Sequence, residues 1–244
     1  MSKHRSDIYG DITKKPTDNP VIPAATVVLL RDSSANGMEV LMLQKNNDIS
    51  FGGMWVFPGG RIDAEDYGAE NTSLAGAAKV AAVRETEEET GIKLDAAGFE
   101  SFAHWTPPPT TPKRFATWFF VAKVSGNEAV EVDGQEITNH RWVSPEGALA
   151  LHTEGKIDLA PPTWISLFHI NQYQSPNAVL SDFRDQQDKI YETHIVKNEA
   201  GIRIALWAGD AGYALSEADV EGARHRLVLA QSGFIFENTV ERYG

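Results

Sequence analysis

Two short runs, FPGGRIDAED (Phe57–Asp66) and VRETEEETGI (Val83–Ile92), decide how this chain is read. In the second, Glu85, Glu88 and Glu89 stand at i, i+3 and i+4, so a helix gathers all three carboxylates on one face. Gly91 falls just past the helix end, where a left-handed residue is favoured. Arg84 is placed to pair with Glu88 one turn on. Left alone, the cluster is unfavourable. Like charges at these spacings repel, and acids in a last turn oppose the helix dipole, each effect costing a few tenths to about 1 kcal/mol. A solvated acidic face is the common explanation for such a run. A divalent cation explains more, because hard ions such as Mg²⁺ or Mn²⁺ select clustered carboxylate oxygens and turn repulsion into shared coordination. Upstream, Gly59 and Gly60 follow a proline in a sharp break, and bare backbone there can approach a ligand closely.

These residues resemble the Nudix box: a glycine, five residues, an acid, a spacer, then Arg-Glu-x-x-Glu-Glu-x-Gly and an apolar residue. Gly60 opens it, Asp66 occupies the acid position where the pattern has glutamate, Arg84 to Glu89 fill the second half, and Gly91-Ile92 close it. The spacer from Tyr67 to Val83 is longer than usual, and Thr86 is less apolar than the pattern. The resemblance covers roughly residues 21–170. It implies an α/β fold, a Nudix-type α/β/α sandwich around a mixed β-sheet, here with a small C-terminal β-rich extension. It also implies a metal-dependent hydrolase that cuts the diphosphate linkage of a nucleoside diphosphate joined to another group, with Mg²⁺ or Mn²⁺ as cofactor.

The resemblance also implies roles. Glu88 and Glu89 are first candidates as metal ligands, with the Gly59 carbonyl beside them. Glu85 is either a third ligand or the base that deprotonates water. Glu136 is the rival base, since family members often carry a catalytic glutamate on a mobile loop at such a place. Arg84 orients a carboxylate, and Gly60 supports the site. Arg61, Lys113 and Arg114 are candidate phosphate contacts by charge and neighbourhood.

FGGMWVFPGG (Phe51–Gly60), HWTPPPTTPKRFATWFF (His104–Phe120) and the Pro161 region resemble larger members near the coenzyme A diphosphatases. The basic pattern associated with coenzyme A is absent upstream, where Lys45 is the one basic residue between Leu41 and Trp55. The substrate is therefore read only as coenzyme A-like, ADP-ribose-like or a dinucleotide.

The remainder is consistent with an ordinary globular chain. A formal charge of −12 argues against a nucleic-acid polymer as partner, and the absence of cysteine excludes disulfides and thiolate chemistry. Polar residues 1–20 read as a tail with no signal-peptide core, and no apolar run is long enough for a membrane, so a cytoplasmic protein is expected. A small nucleotide diphosphate is the expected partner, alongside a homodimer. Ala24–Leu30 and Val40–Gln44 read as a hairpin, Ser73 as the cap of a helix running to Thr90, and Phe99–Trp105 and Phe115–Val124 as strands. Glu128–Val132 and Glu136–Val143 read as a further pair, followed by helices from Ser144 and from Pro162 to Asn171. Residues 171–244 form the extension packed on the domain. Ile190–Val196, Ile202–Trp207, Leu227–Ala230 and Phe234–Glu237 are its expected strands.

Two same-fold alternatives compete with a hydrolase: a ligand sensor without turnover, and a diphosphate isomerase, which usually needs a cysteine. The seven histidines (His4, His104, His140, His152, His169, His194 and His225) lack paired zinc-ligand spacing.

Overall fold

The chain crosses the molecule first as β1 (Val21–Ser33), longer at both ends than the expected run. Alternate side chains of a strand face opposite ways. Ala25, Val27 and Leu29 enter one core while Val28 and Leu30 enter another. A computed structural model describes residues 8–10, 20–35, 37–49, 51–68, 73–126 and 128–240.

Along one edge β1 pairs in parallel with β6 (Arg114–Lys123) from Val21 to Leu30. The other edge is divided. Leu30–Ser33 pair with β2 (Gly37–Lys45), which is the expected hairpin, whereas Ala24–Thr26 pair with β4 (Gly59–Arg61). β1 and β2 therefore part company beyond the Leu30–Val40 pair. The gap is filled by β3 (Trp55–Val56) on β2, the Phe57-Pro58 apex, and β4 on β1. Unpaired main-chain groups in such a gap need partners. The Pro58 carbonyl accepts from both the Val27 N–H (3.0 Å) and the Thr26 hydroxyl (2.6 Å). With β5 (Glu100–Thr106), β7 (Ile137–Val143) and β8 (Lys189–Glu192), the sheet has eight strands in the order β3-β2-β1-β6-β5-β8, with β4 on β1 and β7 on β2.

One face is covered by α1 (Leu74–Thr90), rich in good helix formers. The Ser73 hydroxyl accepts from the Gly76 N–H (3.2 Å), and Gly91 ends the helix at φ 72°. Ala77, Ala78, Ala81 and Ala82 are buried against Ala25, Val27 and Leu29, and their small size lets the helix lie close to the sheet. The second half of the enlarged spacer is thus the first half of the box helix. The opposite face carries α2 (Pro145–Thr153), α3 (Pro161–Ile170) and α4 (Pro176–Asp185), the last stacking Phe183 on Phe102 at 4.8 Å. The expected α/β/α sandwich around a mixed sheet is the observed fold.

Two expectations need correction. Glu128–Val132 is not a strand. Its main chain turns back on the helix end, with the Glu131 N–H donating to the Thr90 carbonyl, and the Glu128 carboxylate accepts from Ser125 and Gly126. The single strand expected over Ile190–Val196 is broken at Thr193 into β8 and β9 (His194–Lys197). β8 joins the main sheet beside β5, while β9 begins a second sheet with β10 (Arg203–Leu206), β11 (His225–Ala230) and β12 (Gly233–Asn238), ordered β12-β11-β10-β9. Thr193 holds the junction, its N–H on the Thr106 carbonyl and its hydroxyl accepting from Trp207 Nε1.

The second sheet buries Ala205, Leu227, Leu229 and Phe234 in the same core as α2 and α3. Trp105 and Tyr191 stack at 3.8 Å with Trp207 edge-on to both. Within the segment expected as a tail, Tyr9 is 4% exposed and joins this core, while residues 1–7 and 11–19 lie outside the described residues. No helix among the described residues is long and apolar enough to cross a membrane.

The excursion between β10 and β11 closes on a buried ion pair. Asp210 accepts from Arg226 Nε and Nη2 (2.7 and 2.5 Å) and from the Gly212 and His225 N–H groups. Burial would raise the Asp210 carboxyl, but these donors and the Arg226 charge hold it below its ordinary value. Asp210→Asn leaves a buried guanidinium without its counter-charge and is expected to cost about 3–5 kcal/mol in urea unfolding. The depressed carboxyl stabilises the fold above its unfolded pKa and loses that contribution as pH falls through the folded one, so acid unfolding separates wild type from variant less and less.

Candidate active site

Arg84, on the third turn of α1, is the hub of the site. Its Nε and Nη2 donate to the two Asp66 oxygens (3.1 and 3.0 Å), Nη1 to Glu85 (2.9 Å) and Glu88 (3.2 Å), and Nη2 also to the Arg61 carbonyl (3.0 Å). The expected pairing with Glu88 exists, but the bidentate partner is Asp66. Asp66 is buried, which would raise its carboxyl, yet the Arg84 hydrogen bonds, the Asp63 N–H and the Arg84 charge bring it below its ordinary value. A carboxylate one methylene shorter than glutamate thus serves as the anchor of the fork.

Glu89 comes off the same helix, 3% exposed, with Oε2 accepting from the Gly59 N–H at 2.9 Å. Its Oε1 is buried with no hydrogen-bond partner among the described residues. Burial pushes this carboxyl up to about 8, against the pull of Lys45 and the Gly59 bond. Glu85 is likewise raised by burial, with Arg84 opposing. Its carboxyl lies against Gly60, where a Cβ would come within 2.4–2.6 Å of the Glu85 Cδ and both oxygens.

The NUDIX domain family model matches residues 21–163, more than half of the chain. The chain belongs to the Nudix family. Over 185 residues it is 24% identical to a protein of Caenorhabditis elegans described as putative nudix hydrolase 7, covering 61% of this chain and 60% of that one. The chain therefore spans less than two thirds of that curated relative. Among solved structures, a NUDIX hydrolase from Alicyclobacillus acidocaldarius is similar in fold, with TM-score 0.59 and 21% identity over 68% of this chain and 97% of that one. The NUDIX domain of Shewanella oneidensis NrtR, solved with ADP ribose, matches with TM-score 0.46 and 18% identity over 62% and 86%.

Nudix hydrolases generally use divalent metal ions. Among the described residues no three His, Asp or Glu side chains converge as a ready metal cage. The carboxylates are instead held by Arg84 and Lys45. The donor set nonetheless fits a hard cation: a buried Glu89 oxygen that accepts no hydrogen bond among the described residues, two neighbouring carboxylates, and glycine backbone with no side chain in the way.

In this Nudix-family chain the structure brings Gly59, Gly60, Arg84, Glu85, Glu88 and Glu89 together, with Glu136 at their margin. Glu136 is 64% exposed, and its Oε2 lies 3.6 Å from Lys45 Nζ, which is 3.8 Å from Glu89 Oε1. Arg61 sits one residue past the glycines, largely exposed and paired to Asp63 (2.9 Å). Arg114 is elsewhere, at the start of β6, its guanidinium donating to the Pro107 carbonyl. Lys113 precedes it on the surface. The sequence reading missed Lys45 as a member of the site. Its only signal was being the lone base between Leu41 and Trp55.

The two glycines predict different failures. Gly60→Ala crowds first the end of the flexible Glu85 side chain, so unfolding should shift by less than about 1 kcal/mol while activity falls at least about tenfold. Gly59 has φ 153°, and a Cβ there would meet the Ala25 carbonyl at 2.4 Å and Thr26 Cα at 2.6 Å. Gly59→Ala is expected to cost about 2 kcal/mol or more. Denaturant unfolding and activity of both variants check the contrast. The raised Glu89 carboxyl gives a third expectation. Its stabilisation of metal-free protein is complete below the ordinary value of 4.5 and lost as pH rises through about 8. Thermal unfolding with chelator present should fall across that window, and less steeply in Glu89→Gln.

Proposed function

We propose that this Nudix hydrolase cleaves the diphosphate linkage of a nucleotide-containing diphosphate, and that α1 supplies its metal-holding face. The observation that carries the reading is Glu89, a buried carboxylate with one oxygen fixed by the Gly59 N–H and the other accepting no hydrogen bond among the described residues, 3.8 Å from the Lys45 ammonium. A helix end gains nothing from such a group unless a cation is to be held there. Glu88 and Glu89, with the Gly59 carbonyl, would hold it, and Glu85 borders the same face. A divalent ion, when bound, supplies positive charge for the non-bridging phosphate oxygens.

The chain's own residues supply the rest. A water molecule attacks one phosphorus, the anhydride bond to the other phosphate breaks, and the water's proton goes to a base. Glu136 is favoured for that role over Glu85. The Glu85 carboxylate is engaged by Arg84 and lodged against Gly60, whereas Glu136 is open to solvent at the rim. Arg84 keeps Glu85 and Glu88 from turning away, and Arg61, beside the glycines, reaches phosphate oxygens more readily than Arg114, which is tied to Pro107.

Glu88→Gln and Glu89→Gln are expected to weaken Mg²⁺ or Mn²⁺ binding and to remove most activity with the fold retained. Glu136→Gln should lower kcat by roughly a hundredfold at saturating metal, and Glu85→Gln less so. The checking measurement is calorimetric metal titration beside turnover of ADP-ribose, NADH, coenzyme A, acyl-coenzyme A, dinucleoside polyphosphates and nucleoside triphosphates. Hydrolysis of one class names the linked group. Metal binding with no turnover of any of them would replace the enzyme reading with a nucleotide sensor.

A further inference from the structure

We propose that Lys45 and Asn46 form a clamp that positions Glu136 over the acidic face, with Lys45 as the positioning residue. The proposal rests on the reading of Glu136 as the base. The root of the clamp is rigid. At the end of β2 the Lys45 N–H donates to the Met54 carbonyl and the Lys45 carbonyl accepts from Gly53, both at 3.0 Å. The β2–β7 register shifts at Gln44/Lys45, and the irregularity brings Lys45 opposite Ile137, immediately after Glu136.

From this root three attachments reach the Glu136 turn. The Asn46 N–H donates to the Glu136 carbonyl (2.8 Å), and Asn46 Nδ2 donates to the Gln135 carbonyl (2.8 Å). The Lys45 ammonium is the third, 3.6 Å from the Glu136 carboxylate. The turn is preformed as well. The Asp133 carboxylate accepts from the N–H groups of Gln135, Glu136 and Ile137, and Gly134 N–H bonds the Ile137 carbonyl. Backbone bonds fix where the turn sits, and they leave the Glu136 side chain free to swing into solvent.

Lys45 is what draws that side chain inward. Its own side chain is only 16% exposed, and its ammonium stands between Glu136 on the turn and the buried Glu89 oxygen on α1. One cation therefore faces Glu136 and Glu89 from separate elements, and its charge also reaches the Asp133 carboxylate that holds the turn. Without Lys45, the Glu136 carboxylate loses the ammonium that draws it toward the Glu85 and Glu89 carboxyls and turns outward to water. Glu89 is a candidate metal ligand, and an ion held there would take the place of Lys45 beside Glu89 while leaving the Lys45–Glu136 pair available.

Three measurements on the full chain test the clamp. Lys45→Met should lower kcat by about tenfold or more with KM nearly unchanged, Lys45→Arg should restore most of it, and Lys45→Met should add less than about threefold in a Glu136→Gln background. Hydrogen exchange of the Gln135–Ile137 amides in chelator-treated protein should quicken about two- to fivefold in Lys45→Met, as loss of a partly exposed ion pair allows. A rise in KM with kcat unchanged would make Lys45 a substrate contact and overturn the proposal. Additive losses in the double variant, or unchanged exchange, would overturn it too. Exchange needs no turnover, so it separates failure of the clamp from failure of Glu136 as base. Full activity of Glu136→Gln together with quickened exchange would sink only the latter.

Discussion

Everything at this site follows from the parting of β1 and β2. Two strands that separate leave main-chain donors and acceptors with no neighbour, and a folded protein must satisfy them. Here the Phe57–Gly60 apex enters the gap, with Pro58 accepting twice from β1 and Gly59 turning its N–H toward α1. Because the apex ends in two glycines, a helix can lay carboxylates directly on backbone. Substituting any larger residue at Gly60 would occupy the place of the Glu85 carboxyl itself. The sheet defect and the acid face are thus one construction.

The cost of that construction is electrostatic, and it is divided between two cations from different elements. Arg84 gathers Asp66, Glu85 and Glu88 into a fork, while Lys45 lies between Glu89 and Glu136. The fork is strong where it is buried, at Asp66, and weak where it is exposed, at Glu88. The inner pair ties α1 to the turn at Asp66, while the outer carboxylate stays open to water. Local rules are broken most severely at Glu89, the residue with the clearest functional candidacy.

Much of this was legible in the sequence because the signals were local. The i, i+3, i+4 acids, the Ser73 cap, Gly91 and the alternating run of β1 each need only a few neighbouring residues to be interpreted. Asp66 was placed in the pattern but not given its partner, since a contact across 18 residues has no periodicity to betray it. Lys45 was harder still, as it enters the site through a register shift between β2 and β7. Glu128–Val132 looked like a strand by composition, but its backbone found the end of α1 instead. Ile190–Val196 has the apolar pattern of one strand. Nothing in that pattern announces that Thr193 hands the chain from one sheet to another.

That handover bears on where the Nudix domain can be cut. The family match ends at residue 163, yet β5 is flanked by β6 on one side and by β8, from far beyond that limit, on the other. Removing the extension would strip β5 of its outer neighbour and leave a row of unpaired N–H and C=O groups, a template for pairing with another chain. β8 is a poor template by contrast: four residues long, bearing Lys189 and Glu192 at its ends and turning away at Thr193. The last part of the chain therefore acts as a selvedge, the bound margin that keeps the woven sheet from fraying into its neighbours.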